Sequence, residues 1–176
     1  MLDAVDRAWG KVLEAFALCA CVLIGLMALM ICTDVLLRNM RLIPGVDGLA
    51  WSNELSEAGL YLITMLAAPW LLREGRHIRV DIVLRAIPRK AGWACEWVSD
   101  AIAFACCVTV VVYGGRATWE SFSQNSITIK TLVMPEWWTQ APLPVAFALL
   151  AVEVLFRMRR LAGGPRAPRE DAVSAA

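Results

Sequence analysis

Histidine occurs once in these 176 residues, at His77. One imidazole cannot supply bis-histidine haem ligation or a multi-histidine metal site. His77 also has no evident nucleophile partner, and a lone turn histidine more commonly serves as a hydrogen-bonded structural residue than as a proton-linked group. The cysteines (Cys19, Cys21, Cys32, Cys95, Cys106 and Cys107) contain no C-x-x-C pair, which leaves neither a redox motif nor a disulfide framework. They read as small packing residues compatible with lipid. No Gly-rich phosphate loop is present. The formal charge of +1 leaves no basic excess for nucleic acid. No catalytic, cofactor-binding or metal-ligating residues are therefore expected.

Charge is also missing from four long stretches. Ala15–Thr33, Ala58–Leu72, Ala101–Gly115 and Trp137–Val152 carry none. Hydrophobic residues make up 59% of the chain, above the roughly 45–50% of a water-soluble domain. A helix crosses a bilayer with about 20 mostly apolar residues. The four stretches, with flanks at head-group depth, predict spans at about 15–36, 51–72, 93–115 and 135–156. Tryptophan brackets them: Trp51 and Trp70 the second, Trp93, Trp97 and Trp119 the third, with Trp137 and Trp138 opening the fourth. The indole suits the interface because its ring is apolar and its N–H stays wet. The first stretch is too long for a signal-peptide core and no A-x-A-like site follows it, so it reads as a retained span.

Basic residues on short loops set orientation. Thirteen Arg and Lys fall at the N-terminal segment, the second connection and the C-terminal end, against Arg38, Arg41, Arg116 and Lys130 on the other side. Both termini are therefore expected in the cytoplasm. REGRHIRVDIVLRAIPRK, residues 73–90, holds Arg73, Arg76, Arg79, Arg85, Arg89 and Lys90, and these read as topology- and lipid-facing cations worth about 1 kcal/mol each near an anionic leaflet. Val80, Val83, Leu84 and Ile87 recur at helical spacing, with Asp81 four residues before Arg85 and a stop at Pro88. That pattern is a short interfacial helix.

Charges at span edges read as pairs, since burying an unpaired one costs several kcal/mol. Asp34 and Arg38 stand i, i+4 at the outer end of the first helix. Glu54 and Glu57 stand i, i+3 at the start of the second, on one face with Tyr61 and Thr64. Two readings are open: Arg38 reaches Glu54 across the helices, or it pairs locally with Asp34. Glu96 and Asp100 open the third helix close to Arg89 and Lys90, and Glu153 precedes Arg157 by four residues. All look like interface pairs. Ala17, Cys21, Gly25, Ala28 and Cys32 form a small-residue stripe on helix one that admits a close neighbour. Pro142 and Pro144 interrupt helix four and free the carbonyls of Trp138 and Gln140. The fold class expected is an all-α membrane protein of four transmembrane helices, with a cytoplasmic interfacial helix between helices two and three. Residues 1–160 form one domain and 161–176 a disordered cytoplasmic tail.

WSNELSE at 51–57, followed by a helix and then REGRHIRVD at 73–81, resembles the small permease subunit of TRAP transporters, the DctQ-type family. The family pattern has an Arg ending helix one and W-x-x-E starting helix two. After that come G-x-H-I-x-V-D, a basic stretch with Pro, and a P-x-W segment opening helix four. Those features fall on Arg38, on Trp51 and Glu54, on Gly75, His77, Ile78, Val80 and Asp81, on Pro88, and on Pro135 and Trp137. The agreement spans about residues 30–150. Asn39 and Met40 depart from the aromatics usual after that Arg.

The resemblance implies a non-catalytic scaffold subunit in the bacterial inner membrane, with no cofactor. Its partners would be a large permease, a periplasmic solute-binding protein and membrane lipids, in sodium-coupled uptake of organic acids such as dicarboxylates. It makes Arg38, Trp51, Glu54, Glu57, Gly75, His77, Asp81, Pro135 and Trp137 the candidate subunit-interface or structural polar residues. A lipid-embedded assembly factor or a small self-contained exporter are the alternatives. An exporter needs an acid near mid-span, whereas the acids here sit at the edges.

Overall fold

The computed structural model describes residues 2–40, 49, 51–75, 88–129 and 133–163. Helix α1 runs Leu2–Met40 and α2 Ser52–Arg73. Helix α3 spans Arg89–Ser123. A hairpin of β1 (Ile127–Ile129) and β2 (Val133–Pro135) follows, then a single turn α4 (Glu136–Gln140) and helix α5 (Pro142–Gly163). Four candidate spans come from these helices, at Val5–Asn39, Ser52–Arg73, Lys90–Ser123 and Glu136–Gly163. They match the four expected spans in number and order. The interfacial helix expected between helices two and three falls on 76–87, outside the described residues; of the tail expected over 161–176, residues 161–163 close helix α5 and the rest lies outside the described residues.

Two helices are longer than their apolar stretches. Helix α1 has 39 residues and α3 has 35, about 58 and 52 Å at 1.5 Å per residue, against roughly 30 Å of hydrocarbon. The charge-free part of α1 alone is about 28 Å long by the same rise, so its charged first turns project beyond the apolar layer.

The helices pack in a row: α1 on α2, α2 on α5, and α5 on α3. Such a row has little interior. Its buried apolar residues include Leu13, Ala20, Ile63, Cys107, Ala146 and Val154, while broad apolar faces point outward, as lipid as solvent allows. Small residues set the close approaches. A Cβ on Gly59 would meet the Met27 sulfur at 3.6 Å, and one on Gly114 would meet Leu143 and Pro144 at 3.6–3.8 Å. The small-residue stripe of α1 lies on the outer face instead: Cys21, Gly25, Ala28 and Cys32 are exposed, and nothing stands within 4 Å of a Cβ built on Gly25.

Helix four is broken, but at Ala141. Pro142 takes the first position of α5, where its missing N–H is harmless, and the Ala141 N–H still donates to Trp137 O at 2.9 Å. The hairpin is a feature not expected from the sequence. Its register pairs Ile127 with Pro135, Thr128 with Met134 and Ile129 with Val133. Asn125 enters it at φ 48°, a left-handed conformation that Asn tolerates. The β-branched run Ile127-Thr128-Ile129 is its only local signal.

Gly75 ends α2 at φ 65°, with its N–H on Leu72 O at 3.2 Å and the Glu74 N–H on Trp70 O at 3.0 Å. This is a left-handed helix terminus. Gly75→Ala should cost about 1–2 kcal/mol, the penalty for an L side chain in that region. Unfolding of the purified chain in mixed micelles will measure it.

Candidate functional site

Polar side chains gather at both ends of the row. At the hairpin end, Arg38 Nε lies 3.0 Å from Asp34 Oδ2. The other Asp34 oxygen accepts the Leu49 N–H at 2.6 Å, and the Ser52 hydroxyl is a further partner. Of the two readings, Arg38 therefore takes the local one. It is Asp34, through the chain entering α2, that joins the first two helices. Ser52 N–H donates to Leu49 O at 3.0 Å and Leu55 N–H to Trp51 O at 3.1 Å, so Trp51 stands as the N-cap of α2.

Glu54 and Glu57 turn away from Asp34. With Tyr61 they form the α2 wall of a cavity of about 310 Å³, closed on its far side by Thr128, Pro135 and Thr139. Two of the candidate residues, Glu54 and Glu57, thus meet a third, Pro135, across a gap. Thr64 points elsewhere, bonding back to the Leu60 carbonyl. Trp137 sits in an aromatic run, edge-on to Phe122 at 5.6 Å and to Trp138 at 5.8 Å. Glu136 Oε1 accepts from Gln140 Nε2 at 3.0 Å, stiffening the α4 turn.

The other end holds a denser network. Glu153 of α5 is fully buried. Its Oε2 accepts from Trp9 Nε1 at 3.1 Å and from Arg73 Nη1 at 3.2 Å, and its Oε1 from Arg160. Arg73 also donates to the Asp6 carboxylate and to the Asp6 carbonyl, each at 3.0 Å. Arg160 reaches the same Asp6 carboxylate at 3.1 Å. Two acids and two arginines make a neutral quartet that ties α1, α2 and α5 together. Gly10 makes room for it: a Cβ there would stand 3.0–3.1 Å from the Arg73 guanidinium. Beside the quartet, Arg157 pairs with Asp100 of α3 at 3.2 Å, so all four long helices are linked.

This corrects the local pairing of Glu153 with Arg157. Asp100 draws Arg157 toward α3, while Arg160, seven residues on from Glu153 and almost two full turns away, returns to its azimuth. Arg73, counted among the topology cations, lies in the network with its side chain 19% exposed. Arg160, like Arg73 one of the thirteen inner-side cations, joins it as well, whereas Asp6 and Trp9 carry no such reading in the sequence. The available signal is Glu153 itself, an acid interrupting the apolar run ALLAVEVLF. His77, Asp81, Arg76, Arg79 and Arg85 lie outside the described residues; Arg89 opens α3 and Lys90 is exposed. Five cysteines are exposed on the helix surfaces and Cys107 is buried, all as free thiols. Among the described residues, no group of three or more His, Cys, Asp or Glu could hold a metal ion.

Four apolar helices with ion pairs confined to the ends of their charge-free stretches describe a multi-pass membrane protein. More narrowly, the family model for the DctQ component of tripartite ATP-independent periplasmic transporters matches residues 27–164, and the chain belongs to that family. A search among curated proteins finds no match. The protein is thus a small permease component of a TRAP transporter.

Proposed function

We propose that the chain is the stationary, non-catalytic scaffold of its transporter, holding a large permease in the bilayer during sodium-coupled uptake of organic acids such as dicarboxylates. A periplasmic solute-binding protein would deliver the substrate. One observation carries this reading: the charges of the row engage one another at its two ends, and Glu153, the most buried of them, is held by Trp9, Arg73 and Arg160. Acids committed to such bonds brace helices; they do not hand ions along a path. The outward faces, including the Cys21–Gly25–Ala28–Cys32 stripe and the break at Ala141, are where a partner would seat.

The basic asymmetry supports an inner-membrane protein with both termini cytoplasmic, the Glu153 network on the inner side and the hairpin on the periplasmic side. Residues 1–160 act as one domain in this reading. Interface or structural roles fall to Arg38, Trp51, Glu54, Glu57, Gly75, His77, Asp81, Pro135 and Trp137. Affinity capture of the tagged chain from native membranes tests the assembly, and impermeant labels at each end test the threading. Expected are recovery of the large permease and labelling of both ends only after permeabilisation. An eluate without permease, or a label reaching either end in intact spheroplasts, would refute the reading.

A further inference from the structure

The hairpin is held at a fixed depth from two sides. Thr128 and Met134, partners in its register, line the hollow opposite Leu55, Ala58 and Tyr61 of α2. Ala58 opens the second charge-free stretch, and Tyr61 lies nearly one turn further in. The strands therefore stand beside the first turns of a span, at the border of head groups and hydrocarbon. On the other side β2 runs straight into α4. Val133 precedes Pro135 by two residues, about 7 Å of extended chain, and Trp137 just beyond opens the fourth charge-free stretch. Alternation along the strands turns Ile127 and Val133 away from the hollow, and they are 58% and 64% exposed. A ridge of rings flanks the hairpin in the chain: Trp119, Phe122, Trp137 and Trp138 follow one another at 6.1, 5.6 and 5.8 Å between centroids. Trp119, Phe122 and Trp138 are exposed.

We propose that the hairpin is an interfacial membrane anchor, lying in the head-group layer of the adjacent leaflet with Ile127 and Val133 directed into the upper acyl chains. Depth selects lipid as the cover of this face, because α2 on one side and α4 on the other hold the strands where head groups begin. Continuity selects it again. The face joins the aromatic ridge, whose exposed indoles favour the same depth. Neither Ile127, Val133 nor the ridge offers a charge with which a polar protein surface could pair. Water alone is a poor cover, since a lone hairpin of three-residue strands is marginal there. The hydrocarbon centre is excluded too. The sheet has only two strands, so each outer edge carries unpaired N–H and C=O groups that need head-group water. The inference needs only that the chain spans a bilayer, and it stands apart from the scaffold role.

Electron paramagnetic resonance of the full chain in phospholipid vesicles tests it. Nitroxide labels are placed one at a time at Ile127, Val133 and Thr128, after the native cysteines are replaced. Two exposed positions of α1 calibrate the depth. Leu26 lies in the middle of the first charge-free stretch and serves as the lipid reference; Val5 lies on the projecting first turns and serves as the water reference. Expected at Ile127 and Val133 is readier collision with oxygen than with a water-soluble nickel chelate, at a ratio between the two references. Thr128, facing the hollow, should be less accessible to both reagents. Ratios at Ile127 and Val133 equal to that of Val5 would overturn the proposal, as would labels there shielded from both reagents. A photo-crosslinker at Val133, in native membranes and with the cysteines intact, gives an independent reading. Lipid adducts are expected, and adducts with another protein in their place would overturn the proposal.

Discussion

Replacing Glu153 with leucine will destabilise the chain by about 3–5 kcal/mol, the cost of breaking a buried ion pair from one side. The substitution leaves Arg73 and Trp9 facing an apolar side chain where each now donates to a carboxylate. Arg160 contributes less to the loss, because its side chain is 41% exposed and water can take over its bond. The low end of the range is therefore the better expectation. A second substitution makes the diagnosis specific. Arg73→Leu added to Glu153→Leu removes one acid and one base, and leaves Asp6 with Arg160 as a neutral pair at 3.1 Å. The double variant should recover at least half of the loss, since apolar replacement of a complete buried pair is often neutral. Reversible unfolding in mixed micelles measures both. A double variant no better than Glu153→Leu alone would show that Arg73 does not depend on this carboxylate.

Gly10→Val will destabilise by about 1–3 kcal/mol, the usual range for inserting bulk into a filled site. The contacted atoms belong to a long side chain, which would ordinarily swing away. Here Asp6 and Glu153 hold that guanidinium from two other sides, so moving it breaks their bonds. Helix propensity predicts the opposite trend, because removing glycine from a helix interior gains about 0.5–1 kcal/mol. Gly25→Ala is the matched control, with open space at its Cβ, and it should stabilise. If Gly10 and Gly25 respond with the same sign, the clash with Arg73 is not what matters. In a Glu153→Leu background the penalty at Gly10 should shrink, since the two sites share one partner.

The spans are legible in the sequence because lipid writes in long stretches. A charge-free run of bilayer length and a tryptophan at its border carry the same information whatever packs beside them. Side-chain partners are another matter. Spacing shows that Arg38 can meet Asp34 and that Arg157 can meet Glu153, but both belong to helices with charged neighbours, and only the packing order decides. Arg38 stays local because Glu54 faces the hairpin cavity. Arg157 does not, because Asp100 stands across from it. Asp6 was hidden by distance, lying 147 residues before Glu153 in a segment that reads as a solvated head. The hairpin was hidden by brevity, with three residues per strand and little periodicity to detect.

The claim that this chain braces a transporter without conducting anything is tested most directly by reconstitution. Proteoliposomes carrying the chain alone, the large permease alone, or both would be given a sodium gradient, a loaded solute-binding protein and a panel of labelled organic acids. Uptake of an organic acid only where both membrane components are present is the expected result. Accumulation in vesicles that hold this chain by itself would contradict it.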